Sequence, residues 1–208
     1  WPVPVERIVI LGPSMGGLLA RSAFFYAKAE TAEWPQYLHK MMFLGTPHHG
    51  APLERVGNYV NRMLDATPFS RPFARIAQIR SPGITDLRYG NLLDEDWNTA
   101  GRFVKRDDER RHLPLPLPST GREVSEAITP GLSCYAVAAV LGKPGIGLKA
   151  NLLGDGLVPP KSALGQHKEP QRCLHFPAAH QLTVYETSHW DLLGSPEIYA
   201  RLEAWISS

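Results

Sequence analysis

Three side chains spread along 208 residues are of the types that carry out acyl transfer together: Ser14, Asp155 and His189. A serine hydroxyl is a poor nucleophile at neutral pH. It needs a base within hydrogen-bond reach, and the base needs a third group to orient it. The strongest local signal surrounds Ser14, where Ile8-Val9-Ile10-Leu11-Gly12 runs apolar, turns through Pro13-Ser14-Met15, and continues as Gly16-Gly17-Leu18-Leu19-Ala20-Arg21. This is the pattern G-x-S-x-G with a strand-like run before it and a helix-like run after, which sets the serine on a strained strand-to-helix turn. Gly12 and Gly16 stand where a Cβ would collide with the tight turn, and Gly17 lets helix and strand approach closely. The helix N-terminus directs N–H groups toward the serine, where negative charge develops during acyl transfer.

The other two groups come from Gly154-Asp155-Gly156-Leu157-Val158-Pro159 and Thr187-Ser188-His189-Trp190-Asp191. The chain order Ser, Asp, His is the one this kind of turn demands. In open parallel sheets such groups gather at the carboxyl ends of the strands. The expected roles are Ser14 as nucleophile, His189 as general base and then acid, and Asp155 as the group that fixes the imidazole tautomer. Taken singly, Asp155 reads equally well as a turn aspartate, and His189 as a capping or packing histidine. Asp191 and Asp86 are rival acids, but Asp191 is too close along the chain to His189 to reach its far nitrogen easily. His48 and His49 are rival bases, and their Thr-Pro-His-His-Gly setting reads better as a shaped loop near the mouth of the site.

The elements that must position these groups follow from periodicity. Val5 to Leu11 reads as a buried parallel strand, a short apolar run rich in β-branched residues. Met15 to Lys28 reads as a helix with Leu18, Leu19, Ser22, Phe25 and Tyr26 along one side, and His39 to Leu44 as a second strand. Strand, helix and strand in about 40 residues form a βαβ unit, implying a parallel sheet with a right-handed crossover. Leu132 to Leu141 and Gln181 to Glu186 read as the third and fourth strands. Pro196 to Ile206 reads as an amphipathic helix with Ile198, Leu202, Trp205 and Ile206 on one face.

Between the second and third strands the pattern changes. Leu53, Val56, Val60, Met63 and Leu64 recur at helical spacing, Phe69 to Ile79 offers a second short helix, and Arg102 to His112 carries both signs of charge. Leu113-Pro114-Leu115-Pro116-Leu117-Pro118 is expected to be extended. Residues 51–130 are therefore read as an insertion in a single 1–208 domain, packed on the core or serving as a lid over the site.

With 43% hydrophobic residues the chain can bury one substantial core, and a net charge of +2 gives no case for nucleic acid as a partner. No run of about 18 apolar residues suggests a membrane span. Cys134 and Cys173 are expected to be buried free thiols, which leaves the redox compartment open. The start at Trp1 has no charged-then-apolar leader, so secretion is unsupported and the cytoplasm is favoured.

Four segments together resemble the α/β-hydrolase superfamily, and within it the lipase-like serine esterases that include the GPI inositol-deacylase-like group. They are Gly12-Pro13-Ser14-Met15-Gly16-Gly17, Leu44-Gly45-Thr46-Pro47-His48-His49-Gly50, Gly154-Asp155-Gly156-Leu157-Val158-Pro159, and Ser188-His189. The resemblance covers essentially the whole chain. It implies an α/β fold with a mainly parallel sheet, helices on both faces, and hydrolysis of carboxylic esters through an acyl-enzyme without metal or organic cofactor. The backbone N–H of Met15 would be one oxyanion donor. The calcium site of some related lipases finds no acidic cluster after His189, so no metal is expected.

The chain departs from the family pattern twice. Pro13 stands where the group usually has histidine, a change that stiffens the turn without touching the chemistry. Only a few residues precede the Ser14 strand, whereas such enzymes normally have several strands before it, one of whose loops supplies the second oxyanion N–H. The sheet is therefore expected to be truncated on its N-terminal side. That would leave Val5–Leu11 at an apolar, unpaired edge that a second copy of the chain, or else a lost partner segment, would cover.

The function expected is hydrolysis of short- to medium-chain acyl esters, the substrate being a small-molecule or lipid ester. Lipid deacylase, phospholipase or acyltransferase activity on the same three residues is the alternative within enzymes. A non-catalytic hydrolase-fold module for binding or assembly is the alternative outside them.

Overall fold

The run Ile8-Val9-Ile10-Leu11 makes the first strand, β1 (Ile8–Pro13), and the glycines after it let the chain turn at once into α1 (Met15–Ala29). The computed structural model describes residues 2–51, 131–144 and 154–208. Its sheet continues with β2 (Leu38–Leu44), β3 (Ser133–Val140) and β4 (Gln181–Tyr185), in the spatial order β1-β2-β3-β4. All three pairings are parallel. A short helix, α2 (Pro160–Ala163), and the C-terminal helix α3 (Pro196–Ser207) complete the regular elements used below. The expected insertion over residues 51–130 falls, from residue 52 onward, outside the described residues.

The sheet is covered on both faces, as expected. On one face Ala20 and Phe24 of α1 pack with Met41, Phe43 and Ala136, and with Ile8 and Ile10 at the edge. On the other, Ile198, Leu202 and Trp205 of α3 pack with Met42, Leu44, Tyr135, Val137, Ala139 and Val184. Strand alternation explains the division, since successive residues of β2 point to opposite sides. α3 is framed by its sequence. The Ser195 side chain accepts the Ile198 N–H, Pro196 begins the first turn, and Glu197 adds an acidic group there.

Three details differ from the sequence expectations. β1 begins at Ile8 because β2 begins at Leu38, which pairs with it, so residues before Ile8 have no ladder to join. β1 takes the edge position expected for it among the described residues, but it is only half buried. Ile8 and Ile10 reach the core, while Val9 and Leu11 are 39% and 46% exposed, because the cluster beneath α3 draws on β2, β3 and β4 only.

The buried side of α1 is Gly17, Ala20, Arg21, Phe24 and Ala27, with Leu18 in a smaller cluster with Phe25 and Tyr26. Leu19, expected inside, is 70% exposed, and Ile206 of α3 is 53% exposed. Small residues win the inner face of α1 because the helix lies so close to the sheet. A Cβ on Gly12 would stand 2.7 Å from the Gly17 Cα and 2.8 Å from its backbone nitrogen.

Pro13 fits at the end of β1 because of its direction. The Ser14 N–H donates to the Leu44 carbonyl at 2.7 Å, so by alternation the Pro13 nitrogen faces away from β2, where no ladder bond is lost.

Cys134 and Cys173 are free, as expected, but both residues are half-buried rather than buried; burial around the Cys134 thiol pushes it up to about 12. Among the described residues no helix is long and apolar enough to cross a membrane.

A buried lysine ties the last helix to the sheet. Lys40 of β2 donates its Nζ to the carbonyls of Trp205 at 2.6 Å and Ile206 at 3.2 Å, and to Ser208 Oγ at 3.4 Å. A cation there meets the unsatisfied carbonyls and the negative end of the α3 dipole. Lys40→Met is expected to lower stability by about 1–3 kcal/mol, because the carbonyls lose charge-assisted partners; urea unfolding of the two proteins measures it.

Candidate active site

Ser14 occupies the turn between β1 and α1 with φ 50° and ψ −127°, a left-handed conformation that costs a non-glycine residue roughly 1–3 kcal/mol. The turn is tied down on both sides. The Ser14 N–H donates to Leu44 O, and the Ser14 carbonyl accepts the Gly17 N–H at 3.1 Å. Its Oγ is buried and makes no hydrogen bond among the described residues. Buried polar atoms are nearly always paired, so an exception on a strained turn points to chemistry.

Asp155 and His189 meet. His189 Nδ1 lies 2.7 Å from Asp155 Oδ2, with both side chains buried. A carboxylate can only accept, so Nδ1 carries a proton and donates it. The other carboxylate oxygen, Oδ1, accepts the N–H groups of Leu157 at 3.0 Å and Val158 at 2.7 Å. A backbone bond from the His189 N–H to the Asp155 carbonyl, at 3.0 Å, joins the two loops a second time. The acid is thus held by its own turn and the imidazole by the acid.

The imidazole rests on the end of β2. A Cβ built on Gly45 would come within 3.1 Å of His189 Cε1 and 3.2 Å of His189 Nδ1. Since Leu44 holds the Ser14 backbone, the serine turn and the imidazole flank the same strand end. The structure therefore brings Asp155 and His189 into direct contact and sets Ser14 at the same carboxyl edge.

The rival groups have other partners. Asp191 Oδ2 accepts both the Ser188 hydroxyl, at 2.5 Å, and the Ser188 N–H, at 3.1 Å. These two bonds hold its carboxyl below the usual aspartate range and close the turn that carries His189. Asp86 lies outside the described residues.

His48 Nδ1 lies 2.9 Å from Arg21 Nη1. A guanidinium only donates, so His48 accepts at Nδ1 and is neutral. Burial, and then the Arg21 charge, push its pKa well below 6.5. Its ring also meets Phe43 edge-on, with centroids 4.8 Å apart.

His49 is lowered to about 4, chiefly by burial. A backbone hydrogen bond at Gly165 opposes this, and the charges of His167, Arg21 and Arg172 add to it. Its backbone N–H donates to Ser162 Oγ, which in turn donates to the Gly50 carbonyl. The His-His pair is thus built into the loop, as the sequence suggested.

Sequence reasoning overlooked Arg21, whose signal was a lone cation inside the apolar side of a helix. It also gave no specific task to Gly45 or Thr46, which entered only as part of a resembling segment.

Residues 2–115 match the family model described as the PGAP1-like alpha/beta domain. The chain belongs to this family. The parallel sheet with helices on both faces is the α/β-hydrolase-like arrangement expected from the sequence, now seen in a chain of the PGAP1-like alpha/beta domain family. Among solved structures, the mature form of the Bacillus licheniformis lipase BlEst2 is similar at 17% identity and a TM-score of 0.47, over 97% of this chain and 65% of that one. The chain thus spans 65% of the length of that lipase. No curated protein matches it.

Among the depressed histidines, His48 and His49 contribute a pH dependence in this PGAP1-like domain. The unfolded chain takes up protons near 6.5, whereas folded His49 waits until about 4 and folded His48 holds out well below 6.5. The unfolded state therefore binds more protons over that interval, and stability falls as pH drops below 6.5. Urea midpoints at about pH 7.5 and about pH 5 should show the loss, and His49→Gln should make it smaller.

Proposed function

We propose that the chain is a serine carboxylic-ester hydrolase working through an acyl-enzyme on short- to medium-chain acyl esters. The observation that carries this reading is the buried 2.7 Å bond between His189 and Asp155 at the strand edge that holds the strained Ser14. Its support from kinship is membership of the PGAP1-like alpha/beta domain family.

In the proposed reaction, Ser14 Oγ attacks the ester carbonyl carbon while His189 Nε2 takes the hydroxyl proton. The carbonyl oxygen becomes an oxyanion facing the Met15 N–H at the start of α1, where a preorganised donor acts most strongly. The C–O bond to the alcohol breaks, and the imidazolium returns its proton to that oxygen. An ester of Ser14 remains. Water then attacks the acyl carbon, giving its proton to His189. The acid leaves, and Ser14 Oγ recovers the proton. Asp155 stays ionised throughout and keeps Nδ1 protonated, so that Nε2 is always the nitrogen offered to the serine.

Hydrolysis of p-nitrophenyl acetate, butyrate, octanoate and palmitate tests the reaction and the chain-length preference together. Ser14→Ala is expected to lower kcat by about 10⁴-fold or more, and Asp155→Asn by about 10³–10⁴-fold, with folding unchanged by circular dichroism. Parent-level turnover in the alanine variant would sink the assignment and leave a binding module.

We further propose that the β1 edge pairs with a second copy of the chain. Its support is the edge position of the strand together with its exposed Val9 and Leu11. Sedimentation should show a dimer that Val9→Lys/Leu11→Lys dissociates; a monomer at all concentrations would refute it.

A further inference from the structure

The end of β2 touches the serine turn and the imidazole of the proposed site without belonging to it. Leu44 O accepts the Ser14 N–H at 2.7 Å, and the Gly45 N–H donates to Val137 O at 2.9 Å, which fixes this strand end to β3. Gly45 has φ +57°, and a Cβ there would press against Leu192 Cδ1 at 2.6 Å and against the His189 ring. The imidazole thus occupies room that only a glycine leaves, in a backbone conformation that favours glycine.

Thr46 is fully buried, and its Oγ1 donates to the Gly12 carbonyl at 3.2 Å. Its side chain also fills the space above Gly17, where a Cβ would collide with the Thr46 Cβ, Cγ2 and Oγ1. Gly12 and Gly17 bracket the serine turn, one at the end of β1 and the other in the first turn of α1. One residue of this pair therefore seats the base, and the next seats the nucleophile.

We infer that Gly45 and Thr46 are positioning residues that set the separation of Ser14 from His189. Gly45 does so by leaving room for the imidazole, and Thr46 by pinning both sides of the serine turn to β2. The inference rests on the ester-hydrolase reading. It assigns these two residues no contact with substrate. They act by geometry, where a misplacement of about 1 Å costs about 10²-fold in rate.

The test uses Thr46→Val, Thr46→Ser and Gly45→Ala in the full chain, with p-nitrophenyl butyrate turnover and the rate of fluorophosphonate labelling as readouts. Valine keeps the bulk of Thr46 and removes its hydroxyl. It should lower kcat and the labelling rate together by about 10–100-fold, with KM within about twofold. Serine keeps the hydroxyl and should restore both to within about threefold of the parent.

Gly45→Ala should lower kcat by about 10²-fold or more. By loosening His189 from Asp155 it should also move the apparent pKa of kcat/KM downward, a change that loss of packing alone would not produce. If Gly45→Ala does not fold, the two Thr46 variants decide the matter.

Parent-level kcat and labelling in Thr46→Val would overturn the inference, as would a serine variant as impaired as valine. Labelling of the parent that disappears in Ser14→Ala separates the two levels: with it present, an unaffected Thr46→Val sinks only the positioning role. A parent that neither labels nor turns over sinks the ester-hydrolase reading and the inference with it.

Discussion

Parallel pairing is the constraint on which this structure depends. When every strand runs the same way, every carboxyl end reaches the same edge of the sheet, and the loops leaving those ends become neighbours however far apart they are in the chain. Ser14 follows β1, Gly45 follows β2 and His189 follows β4, while Asp155 is bonded to the loop of His189 through backbone and side chain alike. None of these contacts requires a long side chain or a flexible loop to span a gap. Reversing any one strand would carry its loop to the opposite edge and dissolve the arrangement.

Within that frame, polar groups with similar chemistry are settled in different ways. The imidazole of His189 is given a carboxylate and donates to it; that of His48 is given a guanidinium and accepts from it. The same ring therefore carries its proton on opposite nitrogens at two points of one sheet edge. Burial of His48 beside a cation makes protonation costly and leaves it a fixed structural acceptor. Lys40 is settled by yet another device, its ammonium lying against the last carbonyls of α3. Each of these three groups has a partner of complementary role, which offsets the cost of placing it inside so apolar a sheet.

Much of this was readable from the residues, and the limits of the reading are physical. The βαβ unit, the four strands and the serine turn all rest on short-range signals: apolar runs, glycines and the residue between them. The meeting of Asp155 and His189 was legible from chain order combined with the parallel sheet, and the proximity of Asp191 to His189 in the chain correctly separated it from that pairing. What failed was facing. Leu19 looked like core and is exposed, while Ala20 and Gly17 lie inside, because the close approach of α1 to β1 favours small residues over greasy ones. Lys40 could not be read at all. Its partners lie 165 and 166 residues further on, and nothing local in His-Lys-Met-Met-Phe-Leu marks the helix end that waits for it.

Pro13 carries a consequence for any strand laid along the side of β1 that is unpaired among the described residues. Val9 and Leu11 present amides outward that another backbone could zip onto, but at the next outward position the pyrrolidine ring has no hydrogen to give. A ladder growing along this border therefore runs out of donors one residue short of the serine. The sheet can be lengthened from this side without its new neighbour being drawn across the Ser14 turn.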